Sequence, residues 1–225
     1  MANKPNFPKA VTPRGTGIYP RLNSPDTKYN KAGVYEVKLA MEPDEAGLDK
    51  LQQKVSDLID AKYDEVVAEL NANGKAGLAK KVTKRDLAEI FKPEEDDEGN
   101  ETGRIIIKAK MTASGTNAKT GKPWTRKPNI FDAKGNLLKN PPLIGGGSVM
   151  KLSVELFPYY AANDKEVGVS FRLEAAQIIK LVSFGARDAA GYGFGEEDGD
   201  DLSSADEEFG ADTGAGDDVD EDDDL

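Results

Sequence analysis

The last 38 residues, Asp188 to Leu225, hold 17 Asp and Glu and not one Lys or Arg. Their only aromatics are Tyr192, Phe194 and Phe209, too little apolar surface to offset the entropy of ordering a chain. Residues 188–225 are therefore expected to form a disordered acidic tail, and whatever folds must be built from the residues before it. Those residues, Met1 to Arg187, carry 30 Lys and Arg against 24 Asp and Glu. The formal charge of −11 thus combines a body at +6 with a tail at −17. A basic body binds polyanions through their phosphates, and a tethered acidic chain is a polyanion at high local concentration. A nucleic-acid binder that carries its own competitor fits this split; a solvated solubility appendage is the plainer alternative.

Absences narrow the chemistry. The chain has no His and no Cys, which excludes the usual zinc sites, Ser–His triads, Cys nucleophiles and haem attachment. Paired carboxylates and carboxylate-held magnesium stay formally open. The acidic residues of the body, however, fall mainly on one helix face and in the loop Glu94–Glu101, where solvation accounts for them. The expectation is no enzyme, no metal and no cofactor. With no run of 18 apolar residues and no charged-then-apolar leader at Met1, the chain reads as soluble and non-secreted, with no membrane association. The lack of Cys fits a cytosolic setting.

Residues 1–31 hold Pro5, Pro8, Pro13, Pro20 and Pro25 among basic residues and read as an irregular basic arm with a short strand near Gly15–Arg21. Residues 32–187 form the folded domain. In Val34–Met41, Tyr35, Val37, Leu39 and Met41 alternate with Glu36, Lys38 and Ala40, the period of a strand with one apolar face. Pro43-Asp44-Glu45 then opens a helix over about 44–71. Its stripe of Leu48, Leu51, Val55, Leu58, Ile59, Val66, Val67 and Leu70 is core packing. A shorter helix is expected at Lys84–Phe91. Arg104–Thr112 is the second clear strand, and Lys108 and Lys110, two residues apart, point to the same side. Further strands are expected at Pro123–Asp132, Ser148–Phe157 and Val167–Leu181, the last bulged near Ala175-Ala176, with Pro158-Tyr159-Tyr160 leading into a loop. Short strands, one inserted helix and no βαβ alternation favour a mostly β fold, a small antiparallel Greek-key barrel of the OB type.

Two Gly-rich stretches fail as phosphate loops. Gly145-Gly146-Gly147-Ser148 lacks the Lys before Ser and precedes a strand, and the Gly121-Lys122 stretch has Thr116 and Pro123 at required positions. The positive signal is aromatics interleaved with bases. Tyr19 lies between Arg14 and Arg21, Trp124 beside Lys122, Arg126 and Lys127, and Tyr159-Tyr160 beside a loop. A base stacked on an aromatic contributes on the order of 1–3 kcal/mol whatever its sequence, while Lys and Arg hold phosphates. Tyr35 and Phe171 run in phase with aliphatic neighbours and are assigned to the core. Trp124, flanked by polar residues, is assigned to the surface. Tyr159 and Tyr160 cannot both face inward on a continuing strand, so at least one is expected outside.

The segments Asp132-Ala-Lys-Gly135, Pro142-Leu-Ile-Gly-Gly-Gly-Ser148, Leu156-Phe-Pro-Tyr159 and Lys180-Leu-Val-Ser-Phe-Gly185, followed by an acidic tail, resemble the single-stranded DNA-binding proteins of T7-type bacteriophages. The Gly33–Leu39 strand, the helix after it and the Lys108/Lys110 pair fall in the same order, so the resemblance covers most of Gly33–Gly185. It implies an OB-fold and non-sequence-specific binding of single-stranded DNA in replication, recombination and repair. It also implies a tail that occupies the DNA groove when DNA is absent and docks onto the replicative polymerase and helicase–primase. Lys108, Lys110, Tyr159 and Tyr19 carry over by position; Arg14, Arg21, Trp124, Arg126, Lys127 and Tyr160 rest on the residue pattern. In the tail, Phe209, Asp222, Asp223, Asp224 and Leu225 are the expected docking residues, although Leu225 stands where the family member compared ends in an aromatic. The expected setting is the cytoplasm of an infected bacterial host, and a homodimer is left open. Three rivals remain on sequence grounds: an RNA-binding OB-fold chaperone, a DNA-mimicking protein-interaction factor, and a carboxylate-metal nuclease.

Overall fold

In the computed structural model of the chain, residues 7–96 and 98–183 are described. The expectations for the acidic tail, including Phe209, Asp222, Asp223, Asp224 and Leu225, concern residues outside these. The elements run β1 (Lys9–Val11), β2 (Gly15–Asp26), β3 (Val34–Met41), α1 (Leu48–Ala72), α2 (Ala76–Ala79), β4 (Thr83–Lys84), α3 (Leu87–Ile90) and β5 (Lys92–Glu95). They continue with β6 (Glu101–Thr112), β7 (Ser114–Thr116), β8 (Pro123–Thr125), β9 (Asn129–Phe131), β10 (Val149–Ala161) and β11 (Glu166–Lys180).

Five strands pair in a closed ring. β2 pairs β3, β3 pairs β6, β6 pairs β11, β11 pairs β10, and β10 returns to β2 through Val149↔Thr16 and Met150↔Gly15. All of these contacts are antiparallel except β6–β11, which is parallel. This is the Greek-key closure of an OB barrel, which removes the sheet edges that an open sheet would expose. Alternation decides what lies inside. Val37 and Leu39 of β3, Ile107 and Ala109 of β6, Met150, Leu152, Val154 and Leu156 of β10, and Val167 and Leu173 of β11 are all buried. Tyr35 and Phe171 join them, as their phase required. The helix α1 lies against β10 and β11 and adds Leu48, Leu51, Val55, Ile59 and Val66 to the same core.

Several boundaries differ from the sequence reading, each for a local reason. The short strand expected near Gly15–Arg21 is present but runs on to Asp26 as a twelve-residue barrel strand, so this part of the chain is not an irregular arm. Its prolines, Pro20 and Pro25, fall within the register shifts between Ile18 and Arg21 and between Arg21 and Asp26, so the ladder loses no needed donor. The helix starts at Leu48, after Gly47 in the left-handed region at φ 92°. Asp44 and Glu45 belong to a turn closed by Glu45 N–H and Leu48 N–H donating to the Glu42 and Glu45 carbonyls at 3.1 Å each. The Lys84–Phe91 helix shrinks to α3, capped by Asp86 Oδ1 accepting from Ala88 N–H at 2.9 Å. Pro123–Asp132 divides into β8, which pairs only with β7, and β9, which runs parallel to β11.

β10 continues through Pro158, Tyr159 and Tyr160 instead of ending in a loop, with Pro158 opposite Val169. Among the described residues the β1–β10 pairing does not extend past Glu155, so Pro158 takes no ladder bond from it. The bulge expected near Ala175-Ala176 falls one residue earlier: Ser153 pairs Ala175 and Val154 pairs Leu173, which leaves Glu174 as the extra residue.

Candidate nucleic-acid interface

The residues out of phase with the barrel core form one continuous outer face. On β3 these are Glu36 and Lys38; on β6, Lys108 and Lys110. Register places Lys110 opposite Glu36 and Lys108 opposite Lys38. The parallel β6–β11 pairing sets Arg172 beside Lys110, and β10 adds Glu155 opposite Arg172 and Phe157 opposite Ser170. A cleft of about 560 Å³ opens on this face, with Lys108, Lys110, Trp124, Arg126 and Arg172 in its lining.

Trp124 forms one wall. It sits on the β7–β8 hairpin directly opposite Gly115, and a Cβ at Gly115 would come within 2.6 Å of the indole Cζ2. The ring lies across bare backbone, a position that any larger residue would block. Arg126 also contacts the ring, with the guanidinium carbon 5.1 Å from the ring centroid, a cation–π contact. That guanidinium is itself fixed, its Nε–H donating to the Thr112 carbonyl at 2.8 Å while the Arg126 N–H donates to Ala113 at 2.8 Å. At 37% exposure, Trp124 is a surface ring held in place, as its polar flanks implied.

Arg172 is the cleft's most desolvated cation. Its guanidinium carbon lies 3.3 Å from the Phe157 centroid, and Phe7 meets Phe157 edge-on at 4.7 Å. Burial holds the Arg172 pKa below its ordinary value; Glu155 opposes this and the nearby Arg126 adds to it. Among the described residues neither Arg126 nor Arg172 has a carboxylate within ion-pair distance, whereas Lys108 and Lys110 share Glu36 Oε2 at 3.2 and 3.6 Å. Two close cations without a partner favour an anion between them.

The remaining sequence candidates distribute unevenly. Tyr159 faces outward, its ring over Gly168, where a Cβ would meet the phenol oxygen at 2.6 Å. Its hydroxyl accepts from Arg85 Nη1 at 3.1 Å. Tyr160, one residue on, turns inward as period two demands, packs on the core and buries its hydroxyl. Its assignment to the binding surface is corrected. Tyr19 is 81% exposed and left-handed at φ 46°. It stands between Ile18 and Arg21, which pair with Lys38 and Glu36, so Tyr19 and Arg21 border the outer face. Arg14 is outside the cleft lining and donates to Glu45 Oε1 at 3.3 Å, in the turn before α1. Lys127 lines a different cleft with Asn23 and Lys139.

Sequence reasoning missed Phe157, Arg172 and the role of Glu36. Phe157 and Arg172 each break phase with the apolar residues beside them, a signal the period-two pattern already contained. It also misplaced Glu94. That carboxylate is 7% exposed, takes both Arg104 Nε and Nη2 at 2.6 and 2.7 Å and accepts from Thr102 Oγ1 at 2.6 Å. It is a structural ion pair, not a solvated loop residue. Among the described residues no group of three or more His, Cys, Asp or Glu could hold a metal, and no helix is long and apolar enough to cross a membrane.

Residues 15–181 match the family model described as single-stranded DNA-binding protein, bacteriophage T7. The chain belongs to that family. Among its relatives, the single-stranded DNA-binding protein of Escherichia phage T7 is 28% identical over 159 residues, covering 69% of this chain. The match spans 66% of that relative, just under two-thirds of its length. The corresponding protein of Enterobacteria phage T3 is 27% identical over 197 residues, covering 80% of this chain and 79% of the relative. The crystal structure of the single-stranded DNA-binding protein encoded by bacteriophage T7 superposes with a TM-score of 0.62 at 23% identity, over 88% of this chain and all of that one. At that identity the likeness is one of fold.

Proposed function

We propose that this chain binds single-stranded DNA without reading its sequence, through the cleft on the β3–β6–β11–β10 face, and that it catalyses no reaction. The observation that carries this reading is the fixed indole of Trp124 beside the cations of Lys108, Lys110, Arg126 and Arg172. An unstacked base lies on Trp124, since every base has a π-face, and the cations take the phosphates on either side. Phe157 under Arg172 offers a second flat surface, because a guanidinium stacked on a ring presents its own plane to a base. A duplex base is already stacked and has no face to give, so the cleft selects single strands.

The acidic tail has two roles in this reading. Tethered to a basic body, it competes for the cleft when DNA is absent. Freed by DNA, it docks onto a basic, partly apolar patch of the phage polymerase or helicase–primase, with Phe209 and Leu225 as apolar points and Asp222–Asp224 steering the encounter. The work belongs to phage replication and recombination in the cytoplasm of the infected host.

The test is a titration of labelled single-stranded DNA, duplex DNA and single-stranded RNA against full-length protein at several salt concentrations. Tight single-strand binding, weak duplex binding and a linear fall of log K with log salt are expected. Equal affinity for duplex would overturn the reading.

A further inference from the structure

The outer face that the DNA-binding reading assigns to phosphates already contains an anion. Glu36 Oε2 lies 3.2 Å from Lys108 Nζ and 3.6 Å from Lys110 Nζ. The ladder places Lys110 opposite Glu36 on one side and Arg21 opposite it on the other, with Lys38 two residues along β3 and opposite Lys108. Like charges set opposite one another on neighbouring strands repel. One carboxylate therefore pairs with two lysines, with Lys38 and Arg21 as register neighbours, and relieves a floor whose lysines would otherwise repel one another. All three paired side chains are accessible to water, with exposures of 32% for Glu36, 41% for Lys108 and 54% for Lys110, so the ion pairs are weak and exchangeable.

A phosphodiester oxygen carries the same charge as this carboxylate and accepts the same donors. A lysine ammonium is a rotatable point charge on a flexible stem, so it can pass from one anion to the other without moving the barrel. We propose that Glu36 is a built-in phosphate surrogate. It holds the anion position between Lys108 and Lys110 in the free protein, and a strand phosphate displaces it on binding. This inference rests on the single-strand-binding reading above. It gives Glu36 a discriminating role. A lone anion gains little over the carboxylate already present, whereas a strand brings successive phosphates and stacked bases together. Unlike the tail, the surrogate is fixed in β3 and cannot be titrated away by a partner.

The test is Glu36→Gln in the full chain, read by anisotropy of a labelled oligothymidylate between about 50 and 200 mM salt. The expected result is roughly two- to fivefold tighter binding at low salt, the range an exposed ion pair supports. The gain should shrink as salt rises and vanish in a Lys108→Ala, Lys110→Ala background. Glu36→Ala, which removes the acceptor altogether, should act with the same sign. Glu65→Gln, on α1 and paired with Lys62, changes net charge equally and should leave affinity unaltered. Unchanged or weaker binding by a normally melting Glu36→Gln protein would overturn the surrogate alone. An equal gain from Glu65→Gln would overturn it too, by reducing the effect to net charge. Failure of every variant to bind single-stranded DNA would remove the underlying reading and this inference with it.

Discussion

Trp124→Ala separates stacking from folding, because the structure places the indole in the cleft but outside the barrel. Trp124 belongs to a two-stranded ribbon, β7–β8, that shares no ladder with the main sheet. Its packing partners are the Gly115 backbone and the Arg126 guanidinium. The cation–π contact contributes about 0.5–1 kcal/mol at an exposed site, and little core surface is lost with it. Stability should therefore fall by about 1 kcal/mol, a shift of roughly 2–4 °C in Tm for a domain of this size. Binding should suffer more. Loss of one stacked base costs about 1–3 kcal/mol, or roughly five- to 150-fold in Kd. The indole has no charge, so the slope of log K against log salt should not change. Anisotropy of a labelled oligonucleotide measures both quantities. The wild type supplies an independent check, since Trp124 is the chain's one tryptophan and its fluorescence should be quenched by saturating single-stranded DNA. Unaltered fluorescence at saturation, or a large fall in Tm with full affinity in the folded fraction, would refute the stacking assignment.

Lys108→Ala with Lys110→Ala should show the opposite pattern, flattening the salt slope by about 1.4 if both contact phosphates of a single strand; an unchanged slope across salt titrations would place both lysines off the DNA path. Removing Asp188–Leu225 should tighten single-stranded DNA binding at low salt, with the gap closing as the Debye length falls from about 10 Å at 0.1 M to about 3 Å at 1 M. Matched affinities at low salt would leave the tail without a role as competitor. Glu94→Gln should cost about 2 kcal/mol through loss of charged hydrogen bonds to the half-buried Arg104. Denaturant melts would show it as a lower midpoint with an unchanged slope, while DNA affinity of the folded protein should stay as it was.

Residues that are neighbours along one strand or one helix could be read directly. The two faces of Val34–Met41 and Arg104–Thr112 follow from period two alone, so Val37 and Ile107 were assigned inside and Lys108 and Lys110 outside. The stripe from Leu48 to Val66 announced α1, and the polar flanks of Trp124 announced a surface ring. The charge split between body and tail is a property of composition and needs no fold. What the local pattern does not encode is which strand meets which. Arg172 stands beside Lys110 only because β11 closes the barrel against β6, across some sixty residues of chain. The same closure drew Gly15–Asp26 out of its proline-rich surroundings into the sheet, since partners on both sides reward the strand and the register shifts absorb Pro20 and Pro25. Glu94 looked solvated until β5 folded back on β6 and brought Arg104 to it. Glu36 became an anion between Lys108 and Lys110 only when β3 paired with β6. Sequence therefore determined the kinds of groups on each face. Only long-range pairing, stabilised by burying the shared core, decided which of those groups stand within reach of one another and so form a cleft.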